Sequence, residues 1–253
     1  MPRYFIEVCY KGTNYSGFQI QQNANSIQSE VEKALKIFFK KKIELTGSSR
    51  TDAGVHALQN FFHFGIDKRL NFENDFQYNL NALLPRDIVI KTMFLVKDNA
   101  HCRFDAISRE YKYFIYQHKD PFLQDTAFYY PYKLNLEKLN EAAKQVVMYT
   151  DFTSFSKRNT QVKNFVCKIE KSEWYLEKNT IVYNVVANRF LRGMVKGLVG
   201  TMLKVGTNKI SIKEFSQIIN SKDCNRADFT PPSHGLLLNA VNYNFDLLIA
   251  ESE

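Results

Sequence analysis

Gly47-Ser48-Ser49-Arg50-Thr51-Asp52-Ala53-Gly54-Val55-His56-Ala57 is the stretch around which the rest of the 253-residue chain is organised. A short apolar run at residues 43–45 precedes it and a longer one at residues 58–64 follows it, and both are typical of strands. Its two glycines and several small residues allow unusual backbone conformations and a close approach to a ligand. The segment therefore predicts a ligand-facing loop between two strands.

Arg50 and Asp52 carry opposite charges within this loop. Because a nearby cation favours the charged form of a carboxyl group, Asp52 is a candidate for an ionised nucleophile. Composition alone favours a simpler interpretation, in which Asp52 only stabilises a turn, since Asp and Gly are common turn residues. The loop by itself leaves both interpretations open.

Residues 50–57, Arg-Thr-Asp-Ala-Gly-Val-His-Ala, resemble the catalytic signature of the tRNA pseudouridine synthases of the TruA family, which act in the anticodon stem-loop. The resemblance extends over most of the chain, with further matches in the opening strand and loop and in residues 108–116, 151–155, 188–196 and 231–236. It implies an isomerase that converts uridine to pseudouridine at positions 38, 39 and 40 of tRNA. It also implies that tRNA is the partner, that the enzyme is a cytoplasmic homodimer, and that it needs no cofactor and no metal.

The resemblance assigns roles to individual side chains. Asp52 becomes the catalytic carboxylate, which either attacks the sugar or removes a proton from it. Arg50 either pairs with Asp52 or inserts into the RNA stem once the uridine flips out, and the resemblance favours insertion. Tyr111 corresponds to the active-site tyrosine, although Tyr113 has the same face of its strand by alternation and only the family match separates the two.

Arg192 is singled out by physical reasoning as well. A helix is predicted from about residue 189 to 205, with Asn188 as its cap, and a cation near the N-terminal end of a buried helix needs an anion. Asp52 or an RNA phosphate would serve, and the resemblance implies Asp52. Leu236, in the segment Pro231-Pro232-Ser233-His234-Gly235-Leu236, is expected to line the uracil pocket, although this segment has one residue more than the family pattern.

The formal net charge of +8 and the sequence pI of about 9.1 fit a polyanionic partner such as nucleic acid. The basic residues are spread along the chain, which suggests a wide surface that contacts many phosphates. A basic protein with no nucleic-acid partner is the alternative that charge alone does not exclude. Aromatic residues make up 14% of the chain, which suits strands as well as base stacking.

The four cysteines lack the spacing of a zinc site or a disulfide scaffold, and we expect reduced thiols in a cytosolic protein. The five histidines show no ligand spacing in sequence either. No apolar run is long enough to span a bilayer, and the amino terminus begins directly with a strand pattern rather than a signal peptide, so we expect no membrane partner.

The pattern of elements predicts an α+β fold with two lobes, each a mainly antiparallel sheet with helices on one face, in a split βαβ or ferredoxin-like layout with a cleft between the lobes. The first lobe, residues 1–104, carries the catalytic loop, and residues 105–253 complete the active site and the RNA cleft. Two other functions compete with the isomerase. One is a non-catalytic RNA-binding or chaperone protein on the same scaffold, and the other is a carboxylate-metal nuclease, which is disfavoured because no second acidic residue lies near Asp52 in sequence.

Overall fold

The computed structural model describes residues 1–71, 75–158 and 162–249, and the chain divides into two compact units. The first unit comprises Met1–Ile107 and Leu238–Glu253, and the second comprises Ser108–Leu237. The sequence places the boundary after residue 104 and assigns everything beyond it to one lobe. In the structure the division follows residue 107, and the chain from Leu238 onward belongs with the first unit.

The described residues form short runs of strands interspersed with helices. In order they are β1 (Arg3–Tyr10), α1 (Ile27–Phe39), β2 (Thr46–Gly47), β3 (His56–Gly65), α2 (Phe76–Asn81), β4 (Ile88–Val96), β5 (Ala106–Tyr116), β6 (Phe128–Tyr129), α3 (Leu136–Val147), β7 (Ile169–Glu177), β8 (Thr180–Ala187), α4 (Met194–Gly206), α5 (Ile212–Asn220), β9 (Leu236–Tyr243) and α6 (Phe245–Leu248). The predicted α+β class, with mainly antiparallel pairing, is confirmed.

In the first unit β1 lies between two antiparallel neighbours, β3 and β4. The two-residue strand β2 pairs with β3, and β9 is the next strand beyond β3. Phe5, Ile6, Phe61 and Phe62 of β1 and β3 are fully buried. The loop at residues 47–57 thus leads directly into β3, one of the best-packed strands of this unit.

Helix α1 forms where its sequence pattern predicts it. Ser26 caps the helix, and its side chain and that of Ser29 satisfy each other's backbone N–H groups in a capping box. The apolar stripe of Ile27 and its neighbours at helical spacing is buried, and Lys40 ends the helix in the left-handed conformation, at φ 52°.

The second unit contains β5, β7 and β8 in antiparallel pairing, with β8 in the middle, and β6 pairs in parallel with β5. Lys178, at φ 53°, forms part of the tight turn between β7 and β8 where the sequence predicts a hairpin. Helix α3 packs on β7 and contacts α4 and α5. The sequence predicts helices from Leu136 to Val147 and from about Ile212 to Asn220, and the observed bounds of α3 and α5 match them.

Two predicted elements of the first unit differ from the structure. The strand-like run 43–45 is not a strand, because the backbone N–H of Leu45 donates to Glu32 and its C=O accepts from Gln28, both on α1. The second helix, predicted over residues 74–84, is observed as Phe76–Asn81, and residue 74 lies outside the described residues. Four-residue turns follow it toward Pro85, since a proline disfavours the helical conformation of the residue before it. Among the described residues, no helix is long and apolar enough to cross a bilayer.

Candidate active site

The loop that holds Asp52 contains a four-residue turn. The N–H of Val55 donates to the C=O of Asp52 at 3.2 Å. Gly54 within the turn has φ 76°, a backbone conformation that residues other than glycine rarely adopt. The simpler interpretation of Asp52 as a turn residue is therefore correct for its backbone. The Asp52 side chain is half-buried.

The segment at residues 12–18 lies directly against this turn. The N–H of Phe18 donates to the C=O of Thr51 at 3.1 Å, and the N–H of Gly54 donates to the C=O of Tyr15 at 3.4 Å. A Cβ atom on Gly12 would come within 2.0 Å of the carbonyl oxygen of Val55, so only glycine fits there. These contacts form a backbone support beneath Asp52.

Arg50 lies between Ser49 and Thr51, and side chains of β1 and β3 form hydrogen bonds with both of these residues. The side-chain amide of Asn60, on β3, accepts from the N–H of Ser49 and donates to its C=O, at 3.3 and 2.9 Å. The same amide donates to the hydroxyl of Tyr10, which is hydrogen-bonded to the hydroxyl of Thr51 at 2.8 Å. Burial raises the pKa of Tyr10, so its hydroxyl stays neutral. Arg50 itself is exposed, which leaves its guanidinium outside this network.

The charged side chains of the loop do not neutralise each other. Across the part of the first unit that the structure describes, Arg50 and Asp52 form no ion pair, and neither side chain has a hydrogen-bond partner there. This disfavours the alternative in which Arg50 pairs with Asp52. Both groups are available to substrate or to another protein group.

The two candidate tyrosines of β5, in the second unit, have different surroundings. Tyr113 is fully buried, its hydroxyl donates to the C=O of Pro232 at 2.7 Å, and a Cβ atom on Gly235 would touch its ring at 2.7 Å. Tyr111 is half-buried and meets Phe190 edge to face, with ring centroids 5.0 Å apart. The surroundings of Tyr111 suit a ligand-stacking ring better than those of Tyr113, whose hydroxyl is used within the protein.

Arg192 precedes a helix instead of lying in one. Helix α4 begins at Met194, and Gly193 before it has φ 74°, so the predicted start near residue 189 is wrong. Asn188 does not cap the helix, because its side chain and backbone are bonded to Lys168. The C=O of Arg192 accepts from the N–H of Lys157 at 3.0 Å, while the Arg192 side chain is exposed and has no partner in the described part of its own unit.

The small-residue strip of α4 packs closely, as predicted. Cβ atoms on Gly197 and Gly200 would come within 2.8 Å of Phe229 and 2.2 Å of the carbonyl oxygen of Asp228. Nζ of Lys196 lies 3.3 Å from the hydroxyl oxygen of Ser233, in the short 3-10 helix Ser233–Gly235. Leu236 follows it at the start of β9 and is buried, 7% exposed.

The fold brings together three ligand-type side chains that have no metal-binding pattern in the sequence. Atoms of His63, His101 and Cys102 lie within 4.8 Å of one another. The protein already provides partners, however: Nδ1 of His63 accepts from the backbone N–H of Cys102 at 3.3 Å, and Sγ of Cys102 donates to the C=O of Thr46 at 3.2 Å. Burial, with the charges of His101 and Arg3, lowers the pKa of His63 to about 4. We interpret the cluster as a structural network with a neutral imidazole.

Sequence reasoning missed the residues that hold the catalytic loop: Asn60, Tyr10, Tyr15 and, through Tyr15, Asp87. Asn60 offers one signal in the sequence, because it is an amide directly before the apolar residues of β3. In the structure it is fully buried. A buried amide needs hydrogen-bond partners, and a nearby loop is their natural source. The partners of Asp87 lie more than 70 residues away in sequence, and no local pattern indicates them.

Comparison with known proteins gives the same result over nearly the whole chain. A sequence model of a family described as tRNA pseudouridine synthase matches residues 8–105 and 142–244. The tRNA pseudouridine synthase A of Porphyromonas gingivalis is 44% identical over 252 residues, which cover 98% of this chain and 100% of that protein. The corresponding values are 43% over 244 residues (96% and 97%) for the protein of that name from Bacteroides fragilis, and 38% over 242 residues (94% and 90%) for the one from Staphylococcus carnosus. With its loop, its fold and these relatives in agreement, the chain belongs to the tRNA pseudouridine synthase family.

Proposed function

We propose that this protein is an isomerase that converts uridine to pseudouridine at positions 38, 39 and 40 of the tRNA anticodon stem-loop, with Asp52 as the catalytic carboxylate. The observation that carries the proposal is the position of Asp52, on a turn whose backbone is fixed by residues 12–18 while its carboxylate remains unpaired within its own unit. The relatives named tRNA pseudouridine synthase A support the tRNA substrate.

The reaction requires a base to be detached and then rejoined through a different atom. The C1′–N1 glycosidic bond breaks, the uracil rotates, and a C1′–C5 bond forms. C5 then loses its proton and N1 gains one, so substrate and product have the same composition. A carboxylate can assist in two ways: it can attack C1′ and hold the sugar covalently, or it can remove a proton from the sugar as the base leaves. The unpaired Asp52 suits either route.

In this proposal Arg192 is the partner of the Asp52 carboxylate. A guanidinium binds a carboxylate through two parallel hydrogen bonds, which would orient the carboxylate and keep it ionised. The exposed and unpartnered side chain of Arg192 in its own unit supports this role. An RNA phosphate is the alternative anion.

Arg50, Tyr111 and Leu236 handle the substrate in this proposal. Extruding a base from a stem costs a few kcal/mol, which an inserted side chain and pocket contacts must offset. The exposed guanidinium of Arg50 on a fixed backbone suits insertion into the vacated space. The half-buried ring of Tyr111 suits stacking on the everted uracil, and Leu236 would line the pocket.

We further propose that the protein acts in the cytoplasm as a homodimer, in which one subunit grips the body of the tRNA while the other subunit's active site takes the target base. The net charge of +8 supports contact with an extended phosphate backbone.

Unmodified tRNA transcripts provide the direct test. Incubation with the protein followed by chemical mapping should place pseudouridine at positions 38–40 in transcripts that carry uridine there. The Asp52→Asn variant should form no product, while its affinity for tRNA stays within about tenfold, a change of about 1.4 kcal/mol. Asp98→Asn is the matched control, since this carboxylate of the same unit pairs with the amino terminus at the surface.

Each result bears on one of the competing functions. Full activity of Asp52→Asn would refute the mechanism, and tRNA binding by the wild-type protein without product would favour a pure RNA-binding protein. RNA cleavage that a strong chelator abolishes would favour the nuclease.

The role of Arg192 has its own test. If Arg192 pairs with Asp52, Arg192→Ala should lower the single-turnover rate about 100-fold and change tRNA affinity little. If it contacts a phosphate, the variant should bind tRNA more weakly, and the salt dependence of binding should fall by about one counterion. Arg189→Ala, three residues earlier in the same segment, is the control.

A further inference from the structure

Asp87 is bonded to a segment of chain far from it in sequence. It lies just before β4, and its backbone C=O accepts from the N–H of Lys11 at 2.9 Å. One carboxylate oxygen accepts from the side-chain amide of Asn14 at 3.0 Å, and the other accepts from the hydroxyl of Tyr15. All three bonds go to the chain just after β1.

Tyr15 and its neighbours are the same residues that support the Asp52 turn. The C=O of Tyr15 accepts from the N–H of Gly54, and the N–H of Gly12 donates to Nδ1 of His56 at 3.0 Å. Tyr15 is therefore bonded to Asp87 through its side chain and to the catalytic turn through its backbone. One residue connects the Asp87 carboxylate to the turn that carries Asp52.

The Asp87–Tyr15 contact is a charge-assisted hydrogen bond from a buried hydroxyl. Tyr15 is buried, 6% exposed, and burial together with its hydrogen bond to Asp87 raises the pKa of its hydroxyl, which therefore stays a donor. A hydrogen bond to a carboxylate is about twice as strong as one between neutral groups. Because an antiparallel ladder from Arg3–Val96 to Tyr10–Ile88 already joins β1 to β4, the two side-chain bonds of Asp87 act on the segment under Asp52.

We propose that Asp87 is a positioning residue for the reaction, and that its carboxylate, through Tyr15 and Asn14, sets the position of the Asp52 turn. This inference rests on the proposed function of Asp52. Asp87 acts through protein groups alone, so its loss changes the rate of the chemical step and leaves tRNA binding intact.

The experiment compares four variants in single-turnover pseudouridine formation and in tRNA binding. Asp87→Ala should lower the rate about 100-fold, because small displacements of a reacting group cost that much, while tRNA affinity stays within about twofold. Asp87→Asn should retain most of the rate, since its amide oxygen still accepts from Tyr15. Tyr15→Phe should resemble Asp87→Ala, and the double variant should lose little more than either, as expected for two ends of one interaction.

Asn81→Ala is the matched structural control. Asn81 lies in the same stretch before β4 and is bonded to the N–H and C=O of Ile90, with no bond to residues 11–18 among the described residues. The substitution Asn81→Ala should lower the thermal midpoint of unfolding without a change in the rate of pseudouridine formation per folded molecule. A rate for Asp87→Ala equal to that for Asn81→Ala would overturn the proposal.

Amide hydrogen exchange separates this proposal from the function on which it rests. The N–H of Gly54, bonded to Tyr15, should exchange faster in Asp87→Ala and in Tyr15→Phe than in the wild type or in Asn81→Ala. If the wild-type protein forms no pseudouridine, the proposed function fails, yet the Gly54 amide still tests the positioning contact. Unchanged exchange at Gly54 in both variants would refute it, and Tyr15→Phe provides the answer if Asp87→Ala does not fold.

Discussion

Replacement of Asn60 by alanine should weaken the first unit and its catalytic loop together. The Asn60 amide is fully buried and makes four hydrogen bonds, with the N–H and C=O of Ser49, the N–H of Phe61 and the hydroxyl of Tyr10. Truncation removes them all. The Tyr10 hydroxyl keeps its bond to Thr51, and we expect a water molecule in the space left by the Asn60 side chain to replace one of the two bonds of Ser49.

Two buried groups then remain unpaired, at a cost of about 1–3 kcal/mol each. With the lost packing, the free energy of unfolding should fall by about 4 kcal/mol, a large part of the usual stability of about 5–15 kcal/mol. For a chain of this size that corresponds to a thermal midpoint lower by about 10 °C. Because Ser49 and Thr51 flank Arg50, the rate per folded molecule should fall as well.

Asn184, on β8, is the comparison for this measurement. It is also a buried amide, 4% exposed, but its Oδ1 atom has no hydrogen-bond partner among the described residues. Its truncation to alanine should therefore lower the midpoint by much less than that of Asn60. Thermal unfolding and single-turnover rates of both variants give the comparison. Equal losses of stability, or a full rate per folded molecule in Asn60→Ala, would refute the reasoning.

Three further outcomes are expected. Because the pKa of His63 is about 4 in the folded protein and about 6.5 when unfolded, the unfolded state binds more protons between these values. The free energy of unfolding should thus fall by about 2 kcal/mol, after allowance for solvent screening, as the pH falls from about 6.5 to 4. Urea titrations at a series of pH values should show a smaller change of this free energy for His63→Gln. Burial raises the pKa of Cys167 to about 11, so iodoacetamide at pH 8 should leave it unmodified in the native protein and alkylate the half-exposed Cys224, as mass spectrometry can show. Gly17→Ala places a side chain at φ 110° and a Cβ atom 3.0 Å from the carbonyl oxygen of Thr51. It should lower the free energy of unfolding by about 2 kcal/mol, as thermal unfolding can show, and should slow pseudouridine formation.

Local patterns predict most of the helices and strands of this chain, because apolar spacing, capping residues and turn residues act over a few positions. The apolar residues of α1 recur at helical spacing and Ser26 caps them, so both the start of the helix and its buried face are visible in the sequence. The alternation in β1 and the tight turn at Lys178 are equally local. Such features depend on residues a few positions apart.

The start of α4 shows where local patterns mislead. Residues 188–193 continue the apolar spacing of the helix, yet Gly193 takes a left-handed conformation that a helix cannot contain. The C=O of Arg192 accepts from Lys157, and Asn188 binds Lys168, so partners from other parts of the chain replace the helical hydrogen bonds. The predicted helix loses its first turn to tertiary contacts that the sequence does not reveal.

The candidate site divides in the same way. Arg50, Asp52 and Arg192 are identified by the resemblance of their motifs, which lie in short stretches of chain. The groups that hold the loop in place come from elsewhere, since Tyr10 reaches Thr51 across 41 residues and Tyr15 reaches Asp87 across 72. A single sequence indicates candidate reactive side chains and does not show the distant side chains that position them.

The distribution of exposure along the loop bears on the choice between catalysis and simple RNA binding. Ser49, Thr51 and Val55 are nearly buried, while Arg50 between the first two is exposed and Asp52 is half-buried. A protein that only binds RNA gains most of its affinity from phosphate contacts, which flexible lysines and arginines provide without a rigid backbone. A catalytic carboxylate must instead be held within about 0.5 Å of its productive position by its surroundings. A rigid loop that presents one acidic and one basic side chain therefore favours a reaction at this site over binding alone, and it explains why the buried residues around Asp52 should be as sensitive to substitution as the reactive ones.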